Sequence, residues 1–154
     1  MKRSCPLFLV LALLAGTATT AQSQVSVSAG AAYAEALDGK WGVDGRLSFD
    51  FPVFPLGVFA GADYFWTSCD EDCSLWGWNL GGKLRLPFPI VSPYVTGALV
   101  GRKWERGSES LDTQGMSAGV GADIKFALKL FGEVNREFLG DDLDQWVIKV
   151  GLRI

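Results

Sequence analysis

The chain has 154 residues, 19 of them glycine, and a formal net charge of −3. This acidic balance and the lack of a basic run argue against a nucleic-acid partner. The chain has no histidine, the side chain that activates the nucleophile in serine hydrolases and related enzymes, so no enzymatic activity is predicted. Hydrophobic residues make up 49% of the chain, yet after the N-terminus no stretch is long enough for a membrane helix. A β-protein, either soluble or embedded in a membrane, is therefore predicted.

The N-terminus predicts a cleavable signal peptide over residues 1–21. Lys2 and Arg3 precede an apolar segment over 7–15, and small residues that suit signal cleavage follow. The alternative, an N-terminal membrane anchor, fits less well because the apolar segment is much shorter than the ~20 residues of a membrane helix. Residues 22–154 are then expected to form one domain.

Apolar and polar residues alternate with a period of two through most of this domain, which predicts β-strands. The eight predicted strands cover 24–36, 41–51, 57–67, 75–86, 93–104, 114–126, 128–138 and 145–154. Each has about ten residues, the length that crosses a bilayer when the strand is tilted. Short, often proline-containing turns alternate with more polar loops, as in outer-membrane barrels. The fold class predicted is all-β, an eight-stranded antiparallel up-and-down transmembrane β-barrel preceded by the signal peptide.

The six tryptophans fall at one end of the predicted strands, where they alternate between strand starts and strand ends. Amphipathic rings prefer the boundary between water and lipid, so this placement predicts an aromatic girdle at the outer rim. Tryptophan also suits the core of a soluble sheet, but that interpretation does not explain why all six share one end. The predicted girdle consists of Trp41, Trp66, Trp76, Trp78, Trp104 and Trp146.

The polar face of the strands carries acids and bases in nearly equal numbers. The interior of an eight-stranded barrel is just wide enough for side chains, and unpaired charges there would be costly. Nearly balanced signs let the charges pair, which predicts a filled, ion-paired interior and not an open pore. The predicted interior network consists of Asp44, Arg46, Asp63, Lys83, Arg85, Asp123, Glu133, Lys149 and Arg153.

Two cysteines lie in one of the predicted outer loops. Cys69 and Cys73 flank three acidic residues, and in an exported chain this spacing favours a disulfide with a local stabilising effect. The pair alone lacks the four ligands of structural zinc, so neither a metal site nor a cofactor is predicted. The acidic clusters at 70–72 and 141–144 serve solubility, or they bind divalent cations that bridge to lipopolysaccharide, or they capture a cationic partner.

The layout of eight strands resembles the small OmpA/OmpX-like outer-membrane barrels over residues 22–154. The segment Pro93-Tyr94-Val95 and the ending Lys149-Val150-Gly151-Leu152-Arg153-Ile154 are similar to segments of that family, although the family usually ends on an aromatic residue. The resemblance implies a bacterial outer membrane with both termini in the periplasm. It also implies contact with outer-membrane lipid and lipopolysaccharide, and recognition of the last strand by the barrel-assembly machinery.

Three functions remain open at this point. The first is a non-enzymatic outer-membrane barrel that acts in envelope integrity or in surface interaction with an unknown partner. The second is a secreted soluble barrel of lipocalin type that carries a small apolar ligand and turns its tryptophan-rich face inward. The third is a narrow ion channel, which needs a continuous water path through the charged interior.

Overall fold

The computed structural model is a closed barrel in which every strand pairs antiparallel with its neighbours in the chain and the first strand pairs with the last. The predicted fold class is confirmed. The strands are β1 (Val25–Ala34), β2 (Lys40–Asp50), β3 (Leu56–Trp66), β4 (Cys73–Arg85), β5 (Val91–Arg106), β6 (Glu109–Lys125), β7 (Lys129–Phe138) and β8 (Gln145–Arg153).

The structure describes residues 25–35, 40–66, 73–86, 88–106, 109–125, 128–140 and 144–154. The predicted signal peptide lies outside these residues. Within them there is no helix of the length and apolarity needed to cross a membrane.

The strands bury their polar face and expose their apolar face. In β2, Asp44 and Arg46 are buried at the barrel axis, whereas Val43 and Leu47 point outward and are about half exposed. Successive residues of a strand point to opposite faces, so the alternation in the sequence places charges inside and apolar side chains outside. This is the reverse of the burial found in a soluble barrel.

The barrel has two different ends. The end that we name the turn end carries the connections after β2, β4 and β6, and the end that we name the loop end carries the other connections. At the turn end, the Phe51 amide donates to the Leu56 carbonyl at 2.9 Å and closes the β2–β3 turn. Val27 and Ile154 exchange backbone hydrogen bonds of 2.9 and 2.8 Å there, so both ends of the barrel domain lie at the turn end.

The hairpin of β5 and β6 is longer than predicted. Most of the segment 105–113, predicted as a loop, continues the ladder, in which Trp104 pairs with Leu111 and Arg106 pairs with Glu109. Polar residues in this segment indicate a loop by composition, but cross-strand pairing outweighs the weak preference of individual residues. Because β7 ends at Phe138, opposite Met116, the outer part of β6 extends beyond it.

Candidate functional site in the barrel interior

Among the described residues, twelve charged side chains form ion pairs in the interior, and their signs balance. All nine residues of the predicted network lie there, together with three that the prediction omitted: Asp50, Arg102 and Glu137. The six carboxylates are Asp44, Asp50, Asp63, Asp123, Glu133 and Glu137, and the six cations are Arg46, Lys83, Arg85, Arg102, Lys149 and Arg153. Each carboxylate has an oxygen within 3.0 Å of a cationic nitrogen. Pairing of this kind reduces the cost of burying charge.

The middle cluster is centred on Glu133. Both of its carboxylate oxygens accept hydrogen bonds of 2.8 Å from the Arg46 guanidinium. The Tyr94 hydroxyl donates to the same carboxylate at 3.0 Å, and the Asn135 amide does so at 2.8 Å. The guanidinium also lies 4.4 Å from the ring centroid of Phe59. Fork-to-fork pairing of arginine with a carboxylate fixes orientation as well as charge.

The upper cluster lies nearer the loop end and connects three carboxylates through two cations. Lys149 Nζ lies 3.0 Å from an oxygen of Asp44 and 2.6 Å from an oxygen of Asp63. Arg102 donates to Asp63 at 2.8 Å and pairs with Glu137 through two of its nitrogens. Arg102 is 1% exposed, the most completely buried charged residue of the described chain.

The lower cluster lies at the turn end. Asp50 lies 2.8 Å from Lys83 Nζ and 3.0 Å from Arg85 Nη1, while Arg85 Nη2 lies 2.8 Å from Asp123, which also pairs with Arg153. The side chains of Asp50 and Arg85 are 30% and 22% exposed, whereas the partners in the other two clusters are almost fully buried. The interior is therefore open to solvent at the turn end.

An apolar layer closes the interior on the side of the loop end. Its members are Ala32, Ala34, Phe65, Leu75 and Val147, with Trp104 packed against them. Trp104 was predicted in the outer girdle, and that placement is wrong. It pairs in register with the buried Leu75 and shares the face of Arg102, two residues before it. Both neighbours point inward, so the indole does too.

The other five tryptophans of the predicted girdle point outward near the loop end. Trp41, Trp66, Trp76, Trp78 and Trp146 have exposed fractions between 36% and 63%. Two of them form aromatic pairs with outward tyrosines, Tyr33 with Trp41 at 5.2 Å and Tyr64 with Trp66 at 5.9 Å between ring centroids. The arrangement is a belt of rings with polar tips on one rim.

The described residues hold no group of three or more His, Cys, Asp or Glu side chains placed to bind a metal ion. The predicted disulfide lies outside them, because neither Cys69 nor the side chain of Cys73 is described. Every interior carboxylate named above already contacts a cation. These paired charges are better suited to stabilising the barrel than to acid–base catalysis.

Several solved structures have the same fold, although no family model and no curated protein sequence matches the chain. Neisserial surface protein A is 16% identical, with 84% of this chain and 94% of that protein covered and a TM-score of 0.56. The N-terminal β-barrel domain of Pseudomonas aeruginosa OprF is 14% identical, with coverages of 84% and 97% and a TM-score of 0.55. Ail, the attachment invasion locus protein of Yersinia pestis, in complex with the heparin analogue sucrose octasulfate, is 14% identical, with coverages of 84% and 96% and a TM-score of 0.57.

These neighbours are small eight-stranded outer-membrane barrels. The similarity shows a fold class, that of the small outer-membrane β-barrels, and this chain combines it with a charged interior and an apolar exterior. Within that class the chain has the OmpA/OmpX-like fold, as its sequence predicts.

Proposed function

We propose that the protein is a non-enzymatic integral barrel of the bacterial outer membrane, with both termini in the periplasm. The observation that carries this proposal is the inverted burial. Mid-strand side chains of the outer face, among them Leu47, Leu80, Leu99 and Val120, are more than half exposed, while the charges are inside. An exposed apolar surface of this extent is unfavourable in water, whereas a barrel that spans a lipid bilayer needs one.

The interior is filled and does not conduct ions. The three ion-paired clusters occupy the axis of the barrel, and the apolar layer lies between them and the loop end. Eight strands leave room for side chains and little else. A channel would need a continuous water path through both the ion pairs and the apolar layer, so the filled interior has more support than the channel.

A soluble carrier of lipocalin type has less support than a membrane protein. Such a carrier needs an apolar cavity inside and a polar surface outside. In this chain Arg46, Glu133 and Lys149 lie inside, while the tryptophan-rich face, apart from Trp104, lies outside.

The loop end acts in envelope integrity or surface interaction, and its chemistry favours a cationic partner or divalent cations that bridge to lipopolysaccharide. The sequence places acids at 70–72, 141, 142 and 144 among these loops, together with Glu35 and Asp112. The sulfated ligand of Ail is a polyanion, which an acidic surface would repel. For this chain we therefore propose a ligand of the opposite charge.

Heat-modifiable migration on a detergent gel tests insertion. Protein from a washed outer-membrane fraction is compared with and without boiling, and the folded barrel is expected to migrate differently from the boiled chain. Recovery in the soluble periplasm without a shift would reject the membrane assignment.

The role of the loops is tested by Asp70→Asn, Glu71→Gln and Asp72→Asn combined, which should reduce magnesium-dependent retention of lipopolysaccharide without changing the shift. Unchanged retention would reject the bridging role of this loop.

A further inference from the structure

Positive charge is concentrated at the turn end. Five cations lie on the inward-facing side there: Lys83, Arg85, Lys125, Lys129 and Arg153. Among the described residues, their carboxylate partners are Asp50 and Asp123, which pair with Lys83, Arg85 and Arg153. The balance found across the twelve interior charges therefore does not extend to this rim, where Lys125 and Lys129 pair in register with one another. A surplus of cations around an open mouth attracts anions.

A cavity of about 610 Å³ opens at this rim beside Arg85. The β2–β3 turn forms one wall, and the ends of β4 and β6 form the other. Its apolar lining is Phe51, Pro52, Val53, Phe54, Pro55, Leu56 and Leu86, and its charged lining is Asp50, Arg85 and Lys125. Phe51, Leu56 and Leu86 belong to the outward face, so the cavity connects the cationic mouth with the surface that faces lipid.

The two cations that line this cavity differ in their pairing. Arg85 Nη1 donates to Asp50 at 3.0 Å, and Arg85 Nη2 lies 2.8 Å from an oxygen of Asp123. Lys125 is exposed and makes no ion pair with the described residues. The Asp50 carboxylate is already held by Lys83 and Arg85, so its charge is offset.

We propose that this cavity binds the phosphate of an anionic phospholipid from the leaflet around the turn end. The exposed ammonium of Lys125 and the partly exposed guanidinium of Arg85 hold the phosphate oxygens, since charge-assisted hydrogen bonds to phosphate are strong. The acyl chains follow the outward apolar wall formed by Phe51, Leu56 and Leu86. The proposal rests on the proposed function, because the turn end meets that leaflet only in an inserted barrel.

Native mass spectrometry of the folded mature chain in neutral detergent tests the site. Dipalmitoyl phosphatidylglycerol is the probe, with dipalmitoyl phosphatidylcholine as the zwitterionic comparison and inorganic phosphate as competitor. We expect one phosphatidylglycerol to be retained in preference to phosphatidylcholine, and inorganic phosphate at equal concentration not to displace it. Equal retention of both lipids would overturn the anionic site. Displacement by inorganic phosphate would show that the site binds free phosphate and would overturn the lipid as the source of the bound phosphate group.

Two variants and one matched control distinguish binding in the cavity from general attraction to the charged rim. Lys125→Gln and Arg85→Gln should each weaken phosphatidylglycerol retention by roughly three- to tenfold, the effect of losing a charge-assisted hydrogen bond. Lys129→Gln removes a charge from the same rim outside the cavity and should change retention by less than about twofold. Equal losses in Lys125→Gln and Lys129→Gln would overturn the cavity.

Heat-modifiable migration of each variant is measured first. If Arg85→Gln does not fold, because it also loses contacts with Asp50 and Asp123, Lys125→Gln alone decides the proposal. If the wild-type chain does not insert at all, the proposed function fails. Insertion without lipid preference rejects the site only.

Discussion

Arg46 of β2 and Glu133 of β7 are joined by two parallel hydrogen bonds of 2.8 Å, although 87 residues separate them in the chain. Tyr94 of β5 donates to the same carboxylate. One ion pair therefore links three strands across the interior, none of which is a neighbour of the others in the sheet.

Replacing one member of this pair should destabilise the barrel strongly. We expect Arg46→Leu and Glu133→Leu each to lower the free energy of unfolding by about 3–5 kcal/mol, because the remaining charge is buried without its partner. The double variant should lose much less than the sum, since no isolated charge remains. Urea titration of the unboiled gel band measures all three, and strictly additive losses would contradict the coupling.

A charge on the outward apolar face should block insertion, and the effect should depend on the depth of the residue in the bilayer. Leu80→Arg lies mid-strand on the exposed face of β4 and should cost about 2–4 kcal/mol in the bilayer. Leu128→Arg, at the turn end, should cost no more than about 1 kcal/mol. The amount of heat-modifiable protein in washed outer membranes is the measurement. Normal assembly of Leu80→Arg would show that this face is not turned to lipid.

Inward and outward glycines should respond oppositely to a methyl group. A Cβ at Gly121 would lie 2.5 Å from Cζ and 2.6 Å from the hydroxyl of Tyr94, so Gly121→Ala displaces the ring from Glu133. We expect a loss of about 1–3 kcal/mol from the broken buried hydrogen bond and the crowding.

The matched control is Gly82→Ala, on the outward face of β4, where the nearest atom would lie at an ordinary 3.6 Å. This change should stabilise the strand by about 0.5–1 kcal/mol, because alanine loses less conformational entropy than glycine on folding. Urea unfolding measures both variants, and a loss in Gly82→Ala as large as in Gly121→Ala would contradict the assignment of faces.

The folded barrel should give no steady single-channel steps in planar bilayers. The expected result follows from the ion pairs and the apolar layer, in which Phe65 and Leu75 are almost completely buried. Insertion is verified on the same sample by the heat-modifiable shift. Reproducible conductance steps from inserted protein would contradict the filled interior.

Thiol labelling tests the disulfide between Cys69 and Cys73. In mature protein taken from the envelope, no cysteine should react until a reductant is added, because closely spaced cysteines in an oxidising compartment form a bond. Cys69→Ser should expose Cys73 to labelling without reductant and serves as the control. Immediate labelling of the wild-type loop would rule the bond out.

Much of the interior could be predicted from the alternation of residues alone. In β2 the charged and apolar residues alternate cleanly, so Asp44 and Arg46 could be assigned to one face. In β5 both faces are apolar, and the inward Val100 looks like the outward Leu99. Arg102 was therefore left out of the network and Trp104 was placed on the wrong face. Arg102 and Trp104 are two residues apart in β5 and therefore lie on the same face. A charge inside a membrane strand must point inward, which assigns both side chains to the interior.

Partners across the barrel could not be predicted from the sequence. Which cation meets Asp63 depends on the stagger of all strands around the closed sheet, and no local pattern records it. The first residues of β6 were missed for a related reason. Glu109 and Asp112 are poor strand formers alone and gain their conformation from the ladder with β5.

The seam between β1 and β8 joins the two ends of the barrel domain, from Val27 opposite Ile154 to Ala34 opposite Val147. Gly30 and Gly151 face each other in it. Neither the first nor the last strand has its full set of partners until the other is in place. Until β8 is in place, the outer edge of β1 presents unpaired backbone groups on which a strand of another chain could pair.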